Sequence, residues 1–136
     1  MWRWVDRVRK KEPPLAGTPA VRRPKLYTSE TGYVYEYCFE GYRVSERRGA
    51  VGTEYVFTVS GDRKNWAPLT VFLGDSEAAA WEREHERDLN ATERYAAVKM
   101  KLFREFDAWI DPGKMAADAL VSQSDMAELL NELGLE

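Results

Sequence analysis

The chain has 136 residues, 44% hydrophobic and 32% charged, with a net charge of −3. That length suits one domain able to bury about two-thirds of its unfolded surface, so folding requires no disulfide or metal staple, and the composition excludes wholesale disorder. No apolar run approaches the ~18 residues of a membrane span, lone Cys38 excludes an intrachain disulfide and a cysteine-based zinc module, and lone His85 excludes any mechanism needing two histidines.

Residues 1–25 read as a basic arm. Arg3, Arg7, Arg9, Lys10, Lys11, Arg22, Arg23 and Lys25 stand against Asp6 and Glu12, a net charge of +6. The remaining chain carries −9, and residues 111–136 hold six acids against Lys114 alone. Trp2, Val5 and Val8 fall at helical spacing, with Trp4 beside them. The charges interleaved there leave no apolar stretch of the kind a secretory signal needs. Pro13, Pro14, Pro19 and Pro24 then impose an extended course, because proline lacks a donor and fixes φ. Indole suits a boundary between water and apolar surface, and arginine pairs with acidic groups. Trp2, Trp4 and the eight cations are therefore the candidate partner-binding residues. Docking onto the acidic C-terminal region, in cis or across a homodimer, is the favoured expectation. Nucleic acid is the alternative.

From Tyr33 the period is two. Tyr33, Tyr35, Tyr37 and Phe39 share one strand face, and Val34, Glu36, Cys38 and Glu40 the other. Gly41 suggests a tight turn, followed by a second strand over 42–48 and a loop ending at Gly52. Tyr55, Phe57 and Val59 mark a third strand over 53–60. Gly61–Asn65 is a turn without the spaced glycines of a phosphate loop. Leu69, Val71 and Leu73 mark a fourth strand over 66–73. Short connections predict an antiparallel meander.

Beyond Gly74 the period becomes 3.6. Ala78, Trp81, His85 and Leu89 form a thin apolar stripe on a helix capped by Asp75 or Ser76. Asn90 and Glu93 have capping-box spacing. Tyr95, Val98, Leu102, Phe106 and Trp109 make a strong stripe. Asp111-Pro112 predicts another helix start, with Met115, Ala119 and Leu120 supporting it. Ser122–Asp125 re-caps a last helix carrying Met126, Leu129, Leu130 and Leu133, closed by Gly134.

The fold class is thus α+β: a four-stranded antiparallel meander, its strands at about 33–73, with one face covered by helices at about 75–133. This single domain, 26–136, follows the basic Pro-rich arm. The aromatic row has the rings of a base-stacking platform, but its alternation fits a core face. Glu36 and Glu40 would stand about 13 Å apart on one strand, too far for a glycosidase pair, and cross-strand pairing with Arg43 or Arg47 suits them. Glu82-x-x-His85 is half of a metal-binding bundle motif without its second half. Cys38 shares a face with carboxylates that disfavour its thiolate. No catalytic residue, cofactor or metal emerges. The expectation is a small cytoplasmic, non-enzymatic binding or assembly domain, self-associating through open sheet edges and a leucine-rich last helix, with no integral membrane segment. A nucleic-acid-associated protein is second. Third is a small-molecule-binding domain or enzyme, with a cavity between the aromatic sheet face and the helices.

Overall fold

Alternating aromatic and polar residues build one long strand where two were expected. In the computed structural model, which describes residues 13–134, this strand is β2 (Val34–Arg47). It is preceded by β1 (Lys25–Thr28) and followed by β3 (Ala50–Ser60) and β4 (Ala67–Gly74). Gly41 does not turn the chain. It lies in a bulge between Phe39 and Gly41, with φ of +131°, that bends β2 and lets it run on. The hairpin falls instead at Arg48-Gly49. Both residues have positive φ, 52° and 84°, as a two-residue turn matched to sheet twist requires.

Three helices follow: α1 (Asp75–His85), α2 (Ala91–Ala108) and α3 (Gln123–Glu132). Asn90 and Ser122 cap α2 and α3 with reciprocal capping boxes, as their spacing predicts. Neither Asp75 nor Ser76 caps α1; its N-cap is Gly74, without a side-chain bond. After Asp111, only a short 3-10 turn forms (Pro112–Lys114), and the expected helix through Met115 and Leu120 is absent. That segment is β5 (Asp118–Val121), parallel to β4. Ala119 and Val121 point to the core while Asp118 and Leu120 face out. Three apolar residues in so short a window do not distinguish period two from 3.6. The architecture is therefore α+β with a five-stranded mixed sheet in the order β1-β2-β3-β4-β5, not a four-stranded antiparallel one.

The helices cover one sheet face. Tyr35, Tyr37, Tyr55, Phe57, Leu69 and Val71 are buried beneath Val98, Leu102, Phe106 and Trp109, and Tyr95 is partly buried among them. Tyr35 stacks on Phe106 with ring centroids 4.7 Å apart. Full burial of each such side chain contributes about 1.5–3 kcal/mol, so this face is core and not a base-stacking platform. Met126, Leu129 and Leu130 are fully enclosed by the same core. The leucines of α3 thus supply no surplus apolar surface for a second chain.

The outer face is polar but organised. The Phe72 ring lies over the cross-strand pair Gly52 and Gly74, where a Cβ on Gly52 would stand 2.6 Å from the ring tip. The Arg47 guanidinium covers that ring at 4.8 Å. Glu54 accepts from Arg43 at 3.0 Å and Arg47 at 2.9 Å, and Arg47 also reaches Asp118 at 2.7 Å. Glu36 and Glu40 are not the partners of Arg43 and Arg47. They pair with Arg63 at 3.7 Å and Arg22 at 2.5 Å, because β2 runs on past Gly41 and Glu36, Glu40, Arg43 and Arg47 all share that strand, while β3 places Glu54 opposite Arg43.

Candidate anion-binding site

The described part of the arm lies along the edge of β2. Ala16 exchanges backbone bonds with Tyr42, N–H to O, at 2.8 and 2.9 Å. The Thr18 hydroxyl donates to the Glu40 carbonyl at 2.7 Å. Gly41 makes this approach possible, since a Cβ there would stand 2.7 Å from the Ala16 carbonyl oxygen. The second anchor is Lys25, paired with Tyr37 at the start of β1. Continued by one narrow pair, that ladder would join Arg23 to Phe39. It stops at Lys25, after Pro24. Between the anchors the chain arches off the strand.

Beneath the arch is a cavity of about 330 Å³. Pro19 and Val21 form its arm wall, Tyr37, Cys38 and Phe39 its strand wall, and Tyr95 of α2 its end. Arg22, Arg23 and Lys25 line it from the arm side. Strand parity places Lys25 on the helix-covered face, opposite Tyr37. There it meets Lys99, whose Nζ lies 5.9 Å from the ring centroids of Tyr37, Tyr95 and Phe103 alike. Burial pushes the Lys99 ammonium below the ordinary lysine pKa, and the Lys25 charge pushes it further. Among the described residues, Arg23, Lys25 and Lys99 have no acidic partner. Arg22 differs: its guanidinium is held by Glu40 and by the Thr58 hydroxyl at 3.0 Å, which ties the arch to the outer sheet face. The result is a concave, ring-walled space with a surplus of positive charge.

Of the residues singled out from sequence, Arg22, Arg23 and Lys25 come together here. Trp2, Arg3, Trp4, Arg7, Arg9, Lys10 and Lys11 lie outside the described residues. The described part of the arm runs along β2, and the segment expected to dock through Trp2 and Trp4 on the acidic C-terminal region lies outside the described residues. Four acids of that region pair within the domain: Asp118 with Arg47, Asp125 with Lys101 at 3.0 Å, and Glu128 and Glu132 with Arg104. Lys101 and Arg104 project from α2 toward α3 and neutralise it locally. Sequence reasoning passed over Lys99. Its signal is a lysine at i+4 from Tyr95 and i−4 from Phe103, on the flank of an aromatic stripe.

The other candidates are engaged elsewhere. The Glu82 carboxylate accepts from the Leu89 N–H at 2.8 Å and from Arg94 at 3.1 Å. His85 stacks on Trp81 with centroids 4.1 Å apart, its Nδ1 2.9 Å from the Trp81 carbonyl. Among the described residues no cluster of three or more histidine, cysteine, aspartate or glutamate side chains could hold a metal, and no helix is long and apolar enough to cross a membrane. Comparisons with protein-family models, curated proteins and solved structures find no match for this chain.

Proposed function

We propose that the protein is a non-enzymatic binding domain that seats the anionic group of a partner in the cavity beneath the arm. One observation carries this reading: Arg23 and Lys25 line a ring-walled cavity, Lys99 stands beside two of its rings, Tyr37 and Tyr95, and none of the three has an acidic partner among the described residues. Uncompensated like charges destabilise a folded chain, and an anion that binds between them offsets the repulsion. The titratable groups at the cavity are lysines, arginines, tyrosines and one thiol. That set holds an anion well, but it pairs no nucleophile with a base. The cavity lies at the margin of the aromatic sheet face, so the third expectation from sequence merges with the first. A protein partner or a second copy of the chain would present the anion as a carboxylate or phosphate. The reducing cytoplasm is the proposed compartment for a chain whose one thiol, Cys38, is buried and unpaired.

The test is calorimetric titration of the full chain with inorganic phosphate, with an acidic peptide and with a single-stranded oligonucleotide, at two salt concentrations. Each is repeated on the Lys25→Gln/Lys99→Met double variant. Binding of at least one anion, weakened about tenfold or more in the variant, supports the reading. Absence of binding, or equal binding by both proteins, overturns it. Nucleic-acid association stays the second reading because Arg23 stands exposed beside the cavity. It expects oligonucleotide affinity that falls steeply with salt and is lost when residues 1–25 are removed.

A further inference from the structure

We infer that the anion this cavity takes is a dianion, a phosphate monoester carried on a small planar or apolar body. The inference rests on the reading above and narrows it. One ammonium group, Lys25, and one guanidinium, Arg23, line the cavity, and a second ammonium group, Lys99, stands 5.9 Å from the ring centroids of its Tyr37 and Tyr95, all three without an acidic partner among the described residues. A carboxylate or sulfonate offsets one of those charges and leaves the others to repel. A phosphate monoester above about pH 6 carries nearly two charges and three acceptor oxygens, enough to contact all three cations. Lysine supplies point charges and arginine a two-pronged contact, the usual division of labour at phosphate.

The walls define the rest of the ligand. Pro19, Val21, Phe39 and Tyr95 offer apolar and ring surface next to the cations. A volume of about 330 Å³ is near the lower limit for small-ligand sites, so it fits one ring-sized body and not a run of polymer. The Lys99 ammonium already stands among Tyr37, Tyr95 and Phe103, 5.9 Å from each ring centroid. A bound dianion opposes the effects that lower the Lys99 pKa and so favours its charged form.

The experiment titrates the full chain with phenyl phosphate, benzenesulfonate, benzoate and inorganic phosphate between pH 5 and 8. The expected result is phenyl phosphate bound at least tenfold more tightly than benzenesulfonate at pH 7.5. That advantage should shrink toward pH 5 as the phosphate takes up its proton near pH 6, while benzenesulfonate affinity stays flat. Lys99→Met and Lys25→Gln should each weaken phenyl phosphate about tenfold, and Lys99→Arg should retain most of the affinity. Equal affinity for phenyl phosphate and benzenesulfonate, with both lost in Lys99→Met, overturns the dianion and leaves the anion site standing. Binding of none of the four, with an acidic peptide or oligonucleotide still bound and sensitive to Lys99→Met, overturns the small phosphate ligand alone. If no anion binds at all, both readings fall.

Discussion

Tyr35 is fully enclosed, yet its hydroxyl has no hydrogen-bond partner among the described residues. Burial raises its pKa, and Asp111 adds to that. A buried hydroxyl without a partner costs about 1–3 kcal/mol, so Tyr35→Phe should leave thermal stability unchanged or raise it by about 1 kcal/mol. A calorimetric loss above that amount would mean the hydroxyl is satisfied after all. Glu54 is the opposite case. Burial alone would raise its pKa, but the bonds from Arg47 and Arg43 outweigh burial and hold it below the usual glutamate value. A depressed carboxylate contributes stability above its unfolded pKa, about 4.3, and that contribution is lost as pH falls through the lower folded value. Glu54→Gln should therefore cost about 1–2 kcal/mol near neutrality. Its denaturation midpoint should then decline less between pH 5 and 2 than that of the native chain. Parallel pH profiles would refute this. Residue parity was legible in the sequence: Tyr35, Tyr37, Tyr55 and Phe57 face the core as alternation requires. Lys99 was not, because its role depends on Lys25 reaching it from a strand 74 positions away in sequence.

At the scale of elements, local signals were reliable where the chemistry is local. Asn90 and Ser122 cap their helices because a short polar side chain and an acid three residues on are all a capping box needs. Gly41 misled because glycine serves a turn and a bulge equally well. Only the partner strand decides between them, and here Phe57 faces Phe39 while Val56 faces Gly41. β5 misled for the same reason, since four residues become a strand only when β4 is there to pair with them. The Gly41 bulge also seats the arm, which gives a test at this scale. Gly41→Ala places a methyl against the Ala16 carbonyl oxygen and Thr18, at a φ that L-residues rarely adopt. It should lower stability by about 1–3 kcal/mol and speed amide exchange at Ala16 and Tyr42. Unchanged exchange at those two amides would refute the coupling of bulge to arm.

For the whole molecule, the division of charge between a basic beginning and an acidic end suggested that the ends attract. Among the described residues the acids of α3 are matched by α2, Arg22 is matched by Glu40 of β2, and Arg23 and Lys25 line the cavity. Net charges by segment do not reveal this, because neutralisation occurs between neighbours in space. The parallel pairing of β5 with β4 has a consequence in time. Residues 25–74 can zip as consecutive antiparallel neighbours, but β5 follows only after 43 intervening residues, most of them in α1 and α2. Closing that span is the most non-local step in the sheet, and non-local pairing slows folding. Until it closes, β4 presents a bare edge of Leu69, Val71 and Leu73 beside a half-covered core. Stopped-flow refolding should show the sheet's amides protected in two groups, β1 to β3 first, and β4 with β5 and α3 later. Simultaneous protection would refute the order. A growing chain emerging from a ribosome would thus carry an unfinished sheet until residue 121 is free, and a chaperone able to cover one strand edge would find its substrate in that interval.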